Sequence, residues 1–281
     1  MEEFVLTTPS PSSIVHRPSS IFVLGHRGML GHVVARYLAE QGFEVVTSQA
    51  RYEGLPRDPL VEAVRDSRCE WIVNAIGRTK QKRDSTMELL LANSILPAHL
   101  KSRMRSWQRL IHASTDCVFS GRRGGYRLDD ERDATDAYGL SKILAEAIAD
   151  DPRCAVIRTS IIGPELGEGH GLMGWFLRQN GEVNGYVNHL WNGITTLEWA
   201  KVCCAIIAGG DSMRRAIAQP GVEPALSKYE LLTLISRVWE KEISIKPVNA
   251  PEAIDRTLVP TLLRPALSEQ LAEMKRWWRG L

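Results

Sequence analysis

Short apolar runs alternate with helically spaced apolar positions along the first half of the chain. Ile21-Phe22-Val23-Leu24 is continuous and ends at Gly25, and His32 to Gln41 then places Val33, Val34, Tyr37 and Leu38 at helical spacing. Phe43 to Val46 is a second run, Leu60, Val61 and Val64 fit a second helix, and Trp71-Ile72-Val73 starts a third strand. Met87 to Leu100 predicts a helix, and Leu110 to Ala113 a fourth strand. Tyr138 to Ala149 is strongly helical, with Leu140, Ile143, Leu144 and Ile148 on one side, and Ala155-Val156-Ile157 begins a fifth strand. Short strands alternating with helices predict a parallel sheet covered on both faces. Right-handed crossovers make this an α/β, doubly wound fold.

The rhythm changes after about residue 165. Gly163 to Gly174 is glycine-rich and loop-like, and Thr196 to Ala208 predicts a helix. Ser227 opens another helix, with Glu230 completing a capping box. Arg264-Pro265 precedes a last helix carrying Leu267, Leu271, Met274 and Trp278. This tail is expected to form a smaller lobe over the C-terminal edge of the sheet, where open α/β folds bind ligands.

Composition narrows the class. The chain is 44% hydrophobic and 24% charged, as globular proteins are, and 35 basic against 33 acidic residues leave a net charge of +2. That balance offers no whole-chain footprint for nucleic acid or an anionic membrane. The five cysteines (Cys69, Cys117, Cys154, Cys203, Cys204) are odd in number and contain no CxxC, which predicts reduced thiols in the cytoplasm. Seven histidines without HExxH or clustered spacing predict no metal site. Glu2 and Glu3 stand where a signal peptide carries basic residues, and the apolar run from Val202 to Ala208 is far too short to cross a bilayer.

Between the first strand and first helix lies Gly25-His26-Arg27-Gly28-Met29-Leu30-Gly31, a GxxGxxG spacing. Glycine permits a tight turn and close approach of a pyrophosphate, while helix N–H groups face the anion. In this strand–turn–helix setting the pattern predicts dinucleotide binding. The second strand runs into Thr47-Ser48-Gln49-Ala50-Arg51 with no acidic residue before Glu53. Hydroxyls with Arg27 and Arg51 suit a 2′-phosphate, so NADPH is expected over NADH. The basic residues Arg78, Lys80, Lys82 and Arg83 follow the third strand and are expected to be a solvated charge run.

Tyr138 and Lys142 form a YxxxK pair, and positions four apart share a helix face. A nearby ammonium favours the phenolate and is expected to lower the tyrosine pKa. Ser114-Thr115-Asp116 ends the fourth strand, where a hydroxyl can address the same carbonyl oxygen that Tyr138 protonates.

With these residues the chain resembles the extended short-chain dehydrogenase/reductases, in particular their dTDP-4-dehydrorhamnose reductase branch, from about Ile21 to Leu263. The likeness rests on the glycine turn, Val73-Asn74-Ala75, Ser114 to Phe119, Tyr138 to Lys142, Arg158-Thr159-Ser160, and Ser227 to Leu232. It implies a Rossmann domain at 20–165, and the residues before it, rich in Ser, Thr and Pro over 7–20 and without periodicity, are expected to be a flexible leader at 1–19. It also implies a mainly substrate-binding lobe at 166–281, of which about 186–226 returns to the sheet. The implied activity is hydride transfer to the 4-keto group of a nucleotide-linked deoxysugar, in deoxysugar and surface-glycan biosynthesis. In that role Tyr138 supplies the proton, Lys142 holds the cofactor ribose and Thr115 orients the carbonyl. Gly25, Arg27, Gly28, Met29, Leu30, Gly31, Ser48, Arg51, Asn74, Ala75 and Ile76 would surround the cofactor. Ser114, Asp116, Cys117, Ile161, Asn188, Trp191 and Asn192 would face the substrate. Cys117 stands where 4,6-dehydratases carry the Glu that elimination needs, so reduction is favoured. Cys117 and Ile161 also replace aromatics usual in rhamnose-forming reductases, which points to another keto-deoxysugar nucleotide. The expected partners are that nucleotide-diphosphate sugar and a second copy of the chain, with no nucleic acid and no membrane. A sugar-nucleotide epimerase and a non-catalytic nucleotide-binding subunit stay open as alternatives.

Overall fold

The computed structural model describes residues 20–79, 85–167, 171–213 and 216–279. The leader expected at 1–19, and Lys80, Lys82 and Arg83, lie outside these residues. The order begins β1 (Ser20–Leu24), α1 (Gly31–Glu40), β2 (Glu44–Val46), α2 (Pro59–Asp66) and β3 (Trp71–Asn74). It continues with α3 (Thr86–Leu90), a π turn at Leu91–Ile95, α4 (Leu96–Arg103), β4 (Arg109–Ser114), α5 (Ala137–Ala145) and β5 (Cys154–Arg158). Then come β6 (Ile161–Ile162), α6 (Leu172–Arg178), β7 (Glu182–Tyr186), β8 (His189–Trp191), β9 (Ile194–Thr195), α7 (Thr196–Met213) and β10 (Ile217–Ala218). The last elements are β11 (Pro220–Gly221), β12 (Leu226–Ser227), α8 (Lys228–Trp239), β13 (Ser244–Val248), β14 (Ile254–Asp255), β15 (Leu262–Leu263) and α9 (Leu267–Arg279).

Six strands form one parallel sheet in the order β10-β5-β4-β3-β1-β2. Every residue of β3 and β5 is buried, as helices on both faces of a parallel sheet require. Val33, Val34 and Leu38 of α1 pack with Leu197, Val202 and Ile206 of α7 over one face, and α2 and α4 cover the other with Leu60, Val64, Leu96 and Leu100. The chain leaves β1 toward β2 and returns to β3 on the opposite side, opening a crevice at the strand ends. Gly25 and Ala75 meet there, where a Cβ on Gly25 would lie 3.0 Å from the Ala75 backbone.

Two helices depart from their sequence patterns. The helix expected at Met87–Leu100 is interrupted by the π turn; Pro97 lacks the N–H that would bond the Asn93 carbonyl, so regular α-helix cannot run through. The apolar side of the α5 segment is split: Leu140 is 46% and Leu144 58% exposed while Ile143 and Ile148 pack inward, and Gly139, Ser141, Lys142 and Ala145 of α5 are buried as well. The inward face is fixed by polar ties, since Asn93 Nδ2 donates to Ser141 Oγ (3.0 Å) and Ser94 Oγ donates to the Ser141 carbonyl (2.7 Å). The loop-like stretch expected at Gly163–Gly174 ends in the first turns of α6.

The later segments pair among themselves as β7 with β13, and β8 between β12 and β14. Met173, Phe176, Trp191, Leu231, Ile235 and Leu271 join the same core as Ile21, Val23 and Ile111 of the central sheet. Among the described residues no helix is long and apolar enough to cross a membrane, and no group of residues is arranged to hold a metal ion.

Candidate active site

At the end of β1 the chain turns at Gly25 with φ +79°, in the left-handed region that favours glycine. The Gly28 N–H closes the turn on the Gly25 carbonyl at 2.8 Å. A Cβ on Gly31 would sit 2.1 Å from that same carbonyl oxygen, so α1 starts against the turn only with glycine there. No side chain caps α1, an arrangement that suits an anion at the helix start. Beside the turn is a cavity of about 450 Å³ lined by Gly25, Arg27, Gly28, Ser48, Arg51, Ala75 and Ile76. Asn74 does not reach it: fully buried, its Oδ1 accepts the Ile76 N–H and its Nδ2 donates to His112 Nδ1 (both 3.1 Å). Asn74 shapes the Ala75-Ile76 turn, and a ligand cannot touch it.

A second cavity, of about 350 Å³, continues from Met29 and Leu30 to the end of β4. Its walls hold Thr115, Asp116, Cys117, Tyr138, Lys142, Ile161, Trp191 and Lys228. Asp136 caps α5 by accepting the Gly139 N–H at 3.0 Å, which starts the helix one residue before Tyr138. A Cβ on Gly139 would lie 2.4 Å from Ala134 Cβ and 2.6 Å from the Cys117 carbonyl, so α5 presses closely on the Thr115-Asp116-Cys117 strand end.

The Thr115 hydroxyl donates to Asp116 Oδ1 (2.9 Å), accepts the Cys117 N–H (3.1 Å) and shares a hydrogen bond with the Tyr138 phenol. Lys142 Nζ donates to the Ala113 carbonyl at 3.1 Å, and burial pulls its pKa down to about 8 against the opposing pull of Glu146. The expected lowering of the Tyr138 pKa is not what the site produces. Burial, reinforced by Cys117 and by the Asp116 and Asp136 carboxylates, pushes the phenol up, and Thr115 only partly opposes it. Tyr138 is therefore a neutral phenol holding its proton.

Two substrate-side expectations, Asn188 and Asn192, are corrected, and that for Ser114 is refined. Ser114 Oγ donates to Glu146 Oε1 (2.7 Å), within a buried network in which Glu146 pairs with Arg158 at 2.6 Å and Arg132 at 3.0 Å. Asn188 exchanges two 2.8 Å hydrogen bonds with the Ala250 backbone, and Asn192 likewise clamps Leu258 at 2.7 and 3.0 Å. Ser114 still lines the cleft, whereas Asn188 and Asn192 line neither cavity and satisfy backbone that folding has buried. Trp191 does line the cleft, its Nε1 donating to Ser160 Oγ at 2.8 Å. Two residues escaped the sequence pattern. Asn93, in the π turn, holds the Arg78 backbone from both sides (2.9 and 3.1 Å) as well as Ser141, and no local motif marks it. Lys228 lay inside the Ser-Lys-Tyr-Glu helix start, where its capping neighbours drew the eye; only the docking of α8 brings it to the cleft.

Residues 19–186 match the family described as "RmlD substrate binding domain". Over 171 residues the chain is 32% identical to the probable low-salt glycan biosynthesis reductase Agl14 of Haloferax volcanii, covering 55% of this chain and 57% of that protein. The match thus spans little more than half the length of that relative. A dTDP-4-dehydrorhamnose reductase of Bacillus anthracis, solved in complex with NADP, superposes with a TM-score of 0.80 at 16% identity, covering 94% of this chain and 100% of that one. The UDP-glucose 4-epimerase of Thermotoga maritima, solved with UDP-glucose, gives 0.70 at 17% identity, covering 93% and 99%. At these identities the two structures establish a shared Rossmann-like fold.

Proposed function

The chain belongs to the RmlD substrate-binding domain family, and from that premise we propose that it is a NAD(P)H-dependent reductase acting on the 4-keto group of a nucleotide-linked deoxysugar. The observation that carries this is the meeting of Thr115, Tyr138 and Lys142 in one cleft with Met29 and Leu30 of the glycine turn. The residues present fit a dinucleotide: Gly25 and Gly31 leave a cradle that any Cβ would fill, and Arg27, Ser48 and Arg51 line the cavity beside it. Reduced nicotinamide, when bound there, supplies the hydride. The protein's share is to hold the carbonyl and the proton. Tyr138, kept neutral by burial, donates its phenolic proton to the carbonyl oxygen. Thr115 orients that oxygen, and Lys142 holds the cofactor ribose.

Residues 20–165 form the cofactor side and 166–281 mainly the substrate side, with α7 and β10 completing the central sheet. Arg27, Ser48 and Arg51 support NADPH over NADH, as does the NADP bound to the Bacillus anthracis reductase of like fold. Cys117 and Ile161 line the cleft where resembling rhamnose-forming enzymes carry aromatics, which favours another keto-deoxysugar. The name of the archaeal relative supports a place in glycan biosynthesis. We place the enzyme in the cytoplasm as a homodimer; exposed Met87, Ile95, Leu140 and Leu144 on neighbouring helices offer an apolar face to a second copy.

The test is NADPH consumption against a panel of freshly prepared 4-keto sugar nucleotides. Wild-type protein is expected to consume NADPH with at least one, and Tyr138→Phe to lose turnover while still binding NADPH. Interconversion of two sugar nucleotides without net NADPH loss would instead identify an epimerase. Cofactor binding with no turnover on any sugar would identify a binding subunit.

A further inference from the structure

Three cations line the substrate cleft: Arg78, Lys142 and Lys228. Arg78 faces Glu88 at 3.6 Å, and Lys142 donates to the Ala113 carbonyl. Lys228 is different. It is the first residue of α8, and its ammonium lies 5.5 Å from the centre of the Trp191 ring. Among the described residues it makes no hydrogen bond and no ion pair. Asp116 and Arg256 act on it only through space and with opposite signs. The other inward-facing lysine near α8, Lys275, shows the contrast, donating to the Val238 carbonyl (2.6 Å) and to Glu240 (2.7 Å).

An ammonium drawn in from water without a partner is costly, and burial lowers the pKa of Lys228 accordingly. The helix cap does not need it, because Ser227 and Glu230 complete the capping box by themselves. Trp191 supplies a flat apolar wall and a weak cation–π contact, which leaves the N–H donors of this half-buried lysine open to a ligand in the cleft it lines.

We infer that Lys228 is a specificity-determining contact for an anionic oxygen of the sugar nucleotide. This rests on the reductase assignment above. The cleft wall built by the C-terminal segments presents Lys228 as its cation, and a nucleotide-diphosphate sugar always brings a pyrophosphate. A sugar carboxylate is the other source of the same chemistry.

Titration calorimetry of wild type, K228M and K228R with UDP, dTDP, UDP-glucose and UDP-glucuronate tests this. NADPH binding on each variant serves as the control for folding. Losing one charge-assisted hydrogen bond weakens binding about tenfold to a hundredfold. If the partner is the pyrophosphate, K228M loses this much for all four ligands. If it is a carboxylate, the loss falls on UDP-glucuronate and spares UDP, dTDP and UDP-glucose. K228R, which keeps the charge, should recover most of either loss. Wild-type affinity of K228M for all four overturns the inference and leaves the reductase assignment standing. Wild-type protein that binds NADPH but none of the four ligands overturns the inference, and the NADPH-consumption panel then decides the reductase assignment separately.

Discussion

Lys142 carries a cost that its position makes measurable. Its pKa of about 8 in the fold compares with an ordinary 10.5. Between those values the unfolded chain keeps a proton that the folded protein has released, so this residue's contribution to stability rises with pH across that window. Below about pH 8 the full burden is present. Lys142→Met should therefore remove activity yet gain on wild type in urea unfolding at pH 7, with the gain shrinking at pH 9.5. A gap that does not change with pH would show that the ammonium is not the cause. Arg51 is the second residue with a separable effect. If it holds a 2′-phosphate, Arg51→Ala raises the KM for NADPH about tenfold to a hundredfold and leaves that for NADH nearly unchanged.

At the scale of elements, the position of α5 decides whether the site exists. Gly139 lets the helix touch the β4 end, Asn93 grips it from the π turn, and Glu146 just beyond it anchors the helix to β5 through Arg158. Glu146 and Arg158 are 2% and 1% exposed, and Arg158 also bonds Gln219 Oε1 at 2.7 Å. Removing one partner of such a pair strands the other charge in the interior. Glu146→Ala is expected to cost about 3–5 kcal/mol, seen as a large drop in Tm. Glu146→Gln, which keeps the shape and some hydrogen bonds, should lose less. If the two variants melt alike, charge outweighs hydrogen bonding at this site.

For the whole molecule, the core is the decisive feature. Residues of the central sheet and of the later segments belong to one apolar cluster, from Ile21 and Val23 to Leu231 and Leu271. Separate melting would require that cluster to split and expose its apolar surface. A single cooperative transition is expected, coincident by near- and far-ultraviolet circular dichroism. Saturating NADPH should raise its midpoint, by about 2.7 kcal/mol of added stability at a hundred times Kd. Two separated transitions, of which NADPH shifts only one, would show instead that the lobes unfold independently.

The local pattern of the chain was enough for the first five strands, the glycine turn and the YxxxK helix. A buried parallel strand must be apolar on both faces, a turn at φ +79° selects glycine, and residues four apart must share a helix face. It did not show that Ser141 and Lys142 of α5 face inward, because their partners Asn93, Ser94 and Ala113 are distant in the chain. Asn188 and Asn192 look like ligand-binding amides until the fold supplies the backbone groups of Ala250 and Leu258. The direction of the Tyr138 pKa and the arrival of Lys228 in the cleft were likewise settled only by tertiary structure. Desolvation and long-range pairing depend on segments distant in the chain, whereas turns and helix faces are set by near neighbours.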